Sequence, residues 1–286
     1  MMNMNFCSLS SGSSGNCYYL GNKSKGILID AGISATSIRK FLYDRDISLD
    51  SIRGILITHN HIDHIRGLEL LTRKYSLPVF TTCKIRNSIL LPHKKISSAA
   101  IREIPLMEKF RLADFDIEAF PVSHDAPETI GFNITASGRE ITIATDLGYI
   151  SDTAASYIKK ANVLVIESNY DEQMLINGKY PYYLKTRIKS DYGHLGNHQA
   201  SEFLAEIISD NLTHICLAHL SKNNNTPEIV LETIKKVFAK KKVNLNGRQK
   251  ITVLNRNVPS EMICLSEQNP PINLVLFQEL EKREYH

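Results

Sequence analysis

The sequence predicts an α/β layered fold, and two features carry that prediction. Short apolar, β-branched runs of four to six residues recur along the chain, and segments of helical periodicity lie between several of them. A third feature says where a site would form, because almost every run stops at a polar residue. In layered α/β folds the active site gathers at the strand ends.

In chain order, the apolar pieces at 6–9 and 17–20 flank a Gly/Ser-rich stretch, 10–16, which reads as the turn of a hairpin. The run at 26–29 stops at Asp30, and that at 54–58 stops at His59. The run at 117–122 stops at Ser123-His124, and that at 141–144 at Thr145-Asp146. The last two, 163–166 and 215–218, stop at Glu167 and His219. Uninterrupted runs of this length read as strands buried on both faces. Three stretches have helical spacing: 63–75 with Ile65, Leu68, Leu70 and Leu71; 197–208 with Ala200, Phe203, Leu204 and Ile207; and 228–242 with Val230, Ile234, Val237 and Phe238. Asn197 is placed to cap the second.

Composition narrows the class. The 286 residues are 43% hydrophobic and 22% charged, which is ordinary globular usage. No apolar run approaches the ~20 residues of a membrane span, and the first six residues lack the basic start of a secretory signal. Five scattered cysteines argue against a disulfide framework and for a cytoplasmic location. The net charge of +4 permits a polyanionic partner without requiring one. No composition shift marks a boundary, so the chain is read as one domain over 1–286 with a tail from about 267 to 286. Pro270-Pro271 and the stretch 274–281 in that tail could form a short helix or reach a partner.

The decisive segment is His59-Asn60-His61-Ile62-Asp63-His64, directly after a strand and before a helix. Imidazole and carboxylate are the donors expected for Zn²⁺ and similar ions. Three further strand ends add His124, Asp146 and His219. Seven candidate ligands exceed what one tetrahedral ion needs, which points to two divalent ions sharing a carboxylate. Zn²⁺, Mn²⁺ and Fe²⁺ all suit such mixed ligation. A pair of ions activates water at neutral pH and neutralises charge on a phosphoryl or carbonyl oxygen.

With HxHxDH followed by His, Asp and His in this order, the chain resembles the metallo-β-lactamase superfamily from the hairpin to about Val258. The resemblance implies a four-layer αβ/βα sandwich. It implies that His59, His61 and His124 hold one ion, that Asp63, His64 and His219 hold the other, and that Asp146 bridges them. The stretches Phe6-Cys7-Ser8-Leu9-Ser10-Ser11-Gly12-Ser13-Ser14-Gly15-Asn16, Ile29-Asp30-Ala31-Gly32 and Ala218-His219-Leu220-Ser221-Lys222-Asn223-Asn224-Asn225 are similar to the YycJ/WalJ subgroup. That subgroup implies 5′-to-3′ exonuclease action on duplex DNA and a role in DNA repair. Other readings keep the metal core for a small phosphodiester, thioester or lactone, or keep the fold as a non-enzymatic scaffold. A scaffold has no physical need for all seven ligands.

The candidate catalytic residues are Asp63, itself one of the ligands, and His194, which lies beyond them. His194, in Gly193-His194-Leu195-Gly196-Asn197, would donate a proton to a leaving 3′-oxygen or hold a phosphate, and His198 competes for that role. Asp30 is expected to accept from a ligand histidine or to close a turn. Glu167 is either a partner of the ligands or a capping carboxylate. Ser13, Ser14 and Asn16 offer polar groups to a phosphate, and Ser14, Asn16, His194 and Ser221 form the candidate substrate-binding set. No Gly-Lys-Ser/Thr follows the glycine-rich turn, which excludes a P-loop. His93 and His214 have no motif around them. The lysines at 235, 236, 240, 241 and 242 read first as a solvated helix face; beside a nuclease site they could instead track a phosphate backbone, as could Lys185, Arg187 and Lys189 near Tyr180, Tyr182 and Tyr183.

Overall fold

The structure is a computed structural model that describes residues 4–91, 95–245 and 247–265. The chain opens as an antiparallel meander of β1 (Asn5–Ser10), β2 (Cys17–Gly21) and β3 (Gly26–Ile29), and the Gly/Ser-rich stretch forms its first turn. It then alternates through α1 (Ala35–Tyr43), β4 (Ile52–Leu56), α2 (Ile62–Ile65), α3 (Leu68–Tyr75), β5 (Val79–Thr81), α4 (Cys83–Leu90) and β6 (Ile101–Glu103). Strands β3 to β6 are parallel neighbours.

The second half repeats that plan. Strands β7 (Lys109–Leu112), β8 (Phe115–Pro121), β9 (Ile130–Ala136) and β10 (Arg139–Ala144) are antiparallel neighbours. After them come α5 (Asp152–Ile158), β11 (Val163–Glu167), α6 (Glu172–Asn177), α7 (Tyr182–Lys189), α8 (Asn197–Ile207), β12 (His214–Ala218), α9 (Pro227–Lys240) and β13 (Lys250–Val253). Strands β10 to β13 are parallel, and β14 (Ile263–Cys264) returns to pair with β1. Among the described residues this makes two seven-stranded mixed sheets, ordered β14-β1-β2-β3-β4-β5-β6 and β13-β12-β11-β10-β9-β8-β7.

The two-residue strand period explains how the layers assemble. In β11, Val163 and Val165 join the core between the sheets with Ile29, Ile55, Phe132 and Ile141. Leu164 and Ile166 point the other way, into a second core beneath α5, α8 and α9. The other sheet is covered by α1, α3 and α4 through Ile38, Leu42, Leu68, Leu71, Ile85 and Ile89. Helices outside two facing sheets give the four-layer αβ/βα sandwich that the family resemblance implied. No helix among the described residues is long and apolar enough to cross a membrane.

Two local expectations are corrected. The helical stretch 63–75 is two helices, because Gly67 interrupts it: its N–H donates to the Ala31 carbonyl, and a Cβ there would stand 2.5 Å from the Ile33 carbonyl oxygen. Leu70 consequently faces solvent instead of the core. Asn197 does not cap α8. Gly196 occupies the cap, its N–H bonded to the Gln199 side chain, and Asn197 is buried, held by Ser168 and Asn225. The lysines of α9 form an exposed face, where Lys236 pairs with Glu232 and Lys241 with Glu206. His93 and the tail from 267 lie outside the described residues.

Candidate metal centre

All seven expected ligands come together at the strand ends. Ligating atoms of His59, His61 and His124 lie within 4.8 Å of one another, as do those of Asp63, His64 and His219. His59, His64 and Asp146 form a third such group, which places Asp146 between the other two. His194 and Glu167 join Asp146 and His219 in a fourth.

Backbone conformation delivers these side chains. Asp30, Asp146 and His219 each follow a strand and each adopt a left-handed backbone, with φ of 58°, 56° and 56°. Such conformations are costly for residues with a Cβ and cluster at functional sites. Three loops interlock to hold them. Asn16 N–H donates to the Asp63 carbonyl, Ala31 N–H to that of His64, and His219 N–H to the Ser11 hydroxyl. Gly32 is where the loops touch, since a Cβ there would lie 1.6 Å from the Asp63 carbonyl oxygen.

Buried partners orient the imidazoles. Asp30, fully buried, accepts from His64 Nδ1 at 2.7 Å and from the Thr58 hydroxyl, which in turn accepts from His59 Nδ1 at 3.0 Å. His124 Nδ1 donates to the Gly193 carbonyl at 2.9 Å, and His219 Nδ1 to Glu167 Oε1 at 2.7 Å. With Nδ1 engaged in all four rings, Nε2 is the atom left for a metal.

Charge is unevenly shared. Burial alone would push His64 down, but Asp146, Asp30 and Asp63 hold it well above the usual histidine range. His219 is likewise raised against its burial, to about 10, by Asp146, Asp63 and Glu167. Burial, reinforced by the neighbouring His64, drives His59 well below that range, and burial with His124 lowers His61. Burial opposes ionisation of Asp146, yet His219 and His64 keep its carboxyl well below the usual carboxylate range.

The donor set fits divalent cations. His59 Nε2 and Asp146 Oδ2 are buried without a hydrogen-bond partner, Asp146 Oδ2 having only the His64 ring as an ion-pair neighbour at 3.2 Å, and a buried polar atom left so is costly unless something binds it. Both belong to the group that spans the two halves of the cluster.

Comparison with known proteins agrees with this geometry. A family model for the β-lactamase superfamily domain matches residues 25–215. The chain is 38% identical to the exodeoxyribonuclease YycJ of Bacillus anthracis over 248 residues, 84% of this chain and 91% of that protein. The chain belongs to the β-lactamase superfamily. Within that superfamily it is also 37% identical to the exodeoxyribonuclease WalJ of Streptococcus pneumoniae over 230 residues, 79% of this chain and 85% of that one. The metallo-β-lactamase-fold protein YhfI of Bacillus subtilis shares the fold, with a TM-score of 0.66, 15% identity and coverage of 90% of this chain and 99% of that one.

The cluster includes residues that the sequence left unassigned. Glu167 is fully buried and accepts four hydrogen bonds: from His219 and His194 at Oε1, and from the Leu147 and Leu195 N–H groups at Oε2. Burial disfavours its charge, but His194 and His219 outweigh that and bring its pKa down to about 2. Its position at a strand end, like the ligands, was the available signal. Asp125 was missed; it lies 3.3 Å from His124 Nε2 and pairs with Arg187 of α7. Adjacency to His124 was its one trace in the sequence.

The remaining candidates separate. His194 sits in the cluster, its ring 5.0 Å from that of His124 and 5.3 Å from that of His219. His198 stands away on the exposed face of α8, beside Glu202. Ser14 is exposed at the loop tip, and its carbonyl accepts from Arg66. Asn16 is fully buried: its Oδ1 accepts from Gly12 N–H and its Nδ2 lies 3.0 Å from His64 Nε2. Ser221 is also buried, and its hydroxyl accepts from Asn224.

Proposed function

We propose that the protein is a two-metal exodeoxyribonuclease that removes nucleotides from the 5′ end of duplex DNA, working in the cytoplasm in DNA repair. The observation that carries this reading is that extensive identity to proteins named exodeoxyribonuclease coincides with a converged set of seven metal donors. His59, His61 and His124 would hold one ion, and Asp63, His64 and His219 the other, with Asp146 between them. Zn²⁺ and Mn²⁺ suit the set best, and Fe²⁺ is a third choice. When bound, such ions supply Lewis acidity to a scissile phosphate and to the water that attacks it.

The chain's own groups do the rest. Asp30 and Glu167 lock ligand imidazoles so that Nε2, not Nδ1, faces the ions. His194, with Nδ1 held on Glu167 at 2.8 Å, presents Nε2 as the proton donor to the leaving 3′-oxygen. Ser14, at the exposed tip beside Asn16, is placed to meet a phosphate. Asn16 and Ser221, both buried, complete the candidate substrate-binding set.

The test is digestion of a 5′-phosphorylated duplex by metal-loaded protein in Mn²⁺ and in Zn²⁺, with D146A as control. Stepwise loss of nucleotides from the 5′ end, absent in D146A, is the expected outcome. No digestion with both ions bound would move the substrate to RNA or to a small ester.

A further inference from the structure

Exposed tyrosines are not spread evenly along the chain. Of the five exposed tyrosines among the described residues, four lie in two segments next to cluster residues in the chain: Tyr149 after Asp146, and Tyr182, Tyr183 and Tyr192 in the stretch leading to His194. Tyr182, Tyr183 and Tyr192 are 84%, 73% and 64% exposed, and Tyr149, three residues after Asp146, is 45% exposed. Rings left in water in one neighbourhood mark an interaction surface more than chance scatter does.

Three of these tyrosines belong to an arm, 179–192, that carries Lys179, Lys185, Arg187 and Lys189 against the single acid Asp191. That is a formal net +3 in a chain of net +4, with Arg187 paired to Asp125 and Lys189 to Glu172 outside the arm. The arm is fixed to the centre at its C-terminal end. Arg187 pairs with Asp125, the Asp191 carbonyl accepts from Ser123, and the Gly193 carbonyl accepts from His124 Nδ1. Its other end is tied to the loop after His219 by a bond from Asn223 to the Tyr180 hydroxyl at 3.1 Å. A Cβ on Gly148 would stand 2.3 Å from Asp191, so Tyr149 and Tyr192 flank a direct backbone contact. On α7, Tyr183 and Arg187 are four residues apart and share a face.

Aromatic rings interleaved with cations are what an unpaired strand recognises. Base faces stack on the rings, and phosphates follow the positive charge. A closed duplex presents no free base faces except at its ends. We infer that the 179–192 arm, together with Tyr149, is a stacking platform for unpaired nucleotides, so that a strand reaches the metal centre single-stranded. The inference rests on the nuclease reading and deepens it: the substrate at the site is a frayed or overhanging end.

The test measures binding of a dye-labelled phosphorothioate oligothymidylate, which resists cleavage, to metal-loaded protein by fluorescence anisotropy. Y182A and Y183A should each weaken binding by about tenfold, and the double variant by more. Y182F and Y183F keep the ring and should bind as the unmodified protein does. Cleavage of a duplex with an unpaired 5′ end should outpace that of a blunt duplex, and Y182A/Y183A should narrow the difference. Alanine variants that bind the oligonucleotide as tightly as the unmodified protein, while that protein digests DNA, would overturn the platform alone. If the unmodified protein neither binds nor cleaves any nucleic acid, the nuclease reading falls and the platform with it.

Discussion

Replacing Glu167 with glutamine tests the idea that one buried carboxylate organises both His194 and His219. The change keeps the side chain's shape and removes its charge. Four donors converge on this carboxylate, two imidazole N–H groups and two backbone N–H groups. A glutamine amide can face only half of them with an oxygen, so its NH₂ meets donors on the other side. A folded-state pKa of about 2 against the ordinary 4.5 corresponds to about 3 kcal/mol of interaction with the charged form. Leaving two donors unsatisfied costs a comparable amount, about 1–3 kcal/mol each. E167Q should therefore lower the stability of the metal-free protein by about 3 kcal/mol in urea titrations at pH 7. Because the folded pKa is depressed, this contribution is complete above pH 4.5 and is lost as pH falls toward 2. With His219 no longer anchored, affinity for Zn²⁺ in competition with a chelator should fall about 10- to 100-fold. Unchanged stability and unchanged zinc affinity would refute the reasoning.

Three further outcomes follow from the same structure. G32A should be destabilised by about 3 kcal/mol or more, because the added Cβ would meet the Asp63 carbonyl oxygen, which the backbone cannot withdraw; thermal unfolding of the variant checks this. H194A should keep its metal, measured by elemental analysis, but turn over about 100-fold more slowly or worse, whereas H61A should lose both metal and activity; normal turnover by H194A would end the proton-donor assignment. His214 is pushed down to about 4, mainly by burial and then by Lys250 and Arg139. An unfolded chain therefore binds a proton there that the folded one refuses, so stability is full above pH 6.5 and falls by up to about 3 kcal/mol as pH drops toward 4. H214N should flatten that part of the stability–pH curve in urea titrations, and an unchanged curve would show that other groups carry the loss.

Much of this molecule is determined locally, and the sequence by itself therefore determined it. A buried strand announces itself as an apolar run, and the residue that ends it needs no distant partner to be recognised. Hence the layered fold, the first hairpin and the six strand ends were all legible, as was the donor-dense stretch from His59 to His64. The misreadings were local patterns overruled by a remote contact. The helical period across 63–75 is genuine, but the Ala31 carbonyl takes the N–H of Gly67 and breaks it. Asn197 has the chemistry of a cap, but Ser168 and Asn225 bury it.

The tertiary structure alone decided what holds the ligands and what stands around them. Glu167 reads as an ordinary strand-end acid until folding brings His194, 27 residues away, and His219, 52 residues away, to the same oxygen. The Ser11 hydroxyl that receives the His219 N–H is 208 residues distant. His194 and His198 are indistinguishable by spacing, and only the turn into α8 points one inward and leaves the other in water. Ligand identity is written in residue type, which local sequence displays. Ligand orientation depends on hydrogen bonds between segments far apart in the chain, and those exist only once the two sheets have packed.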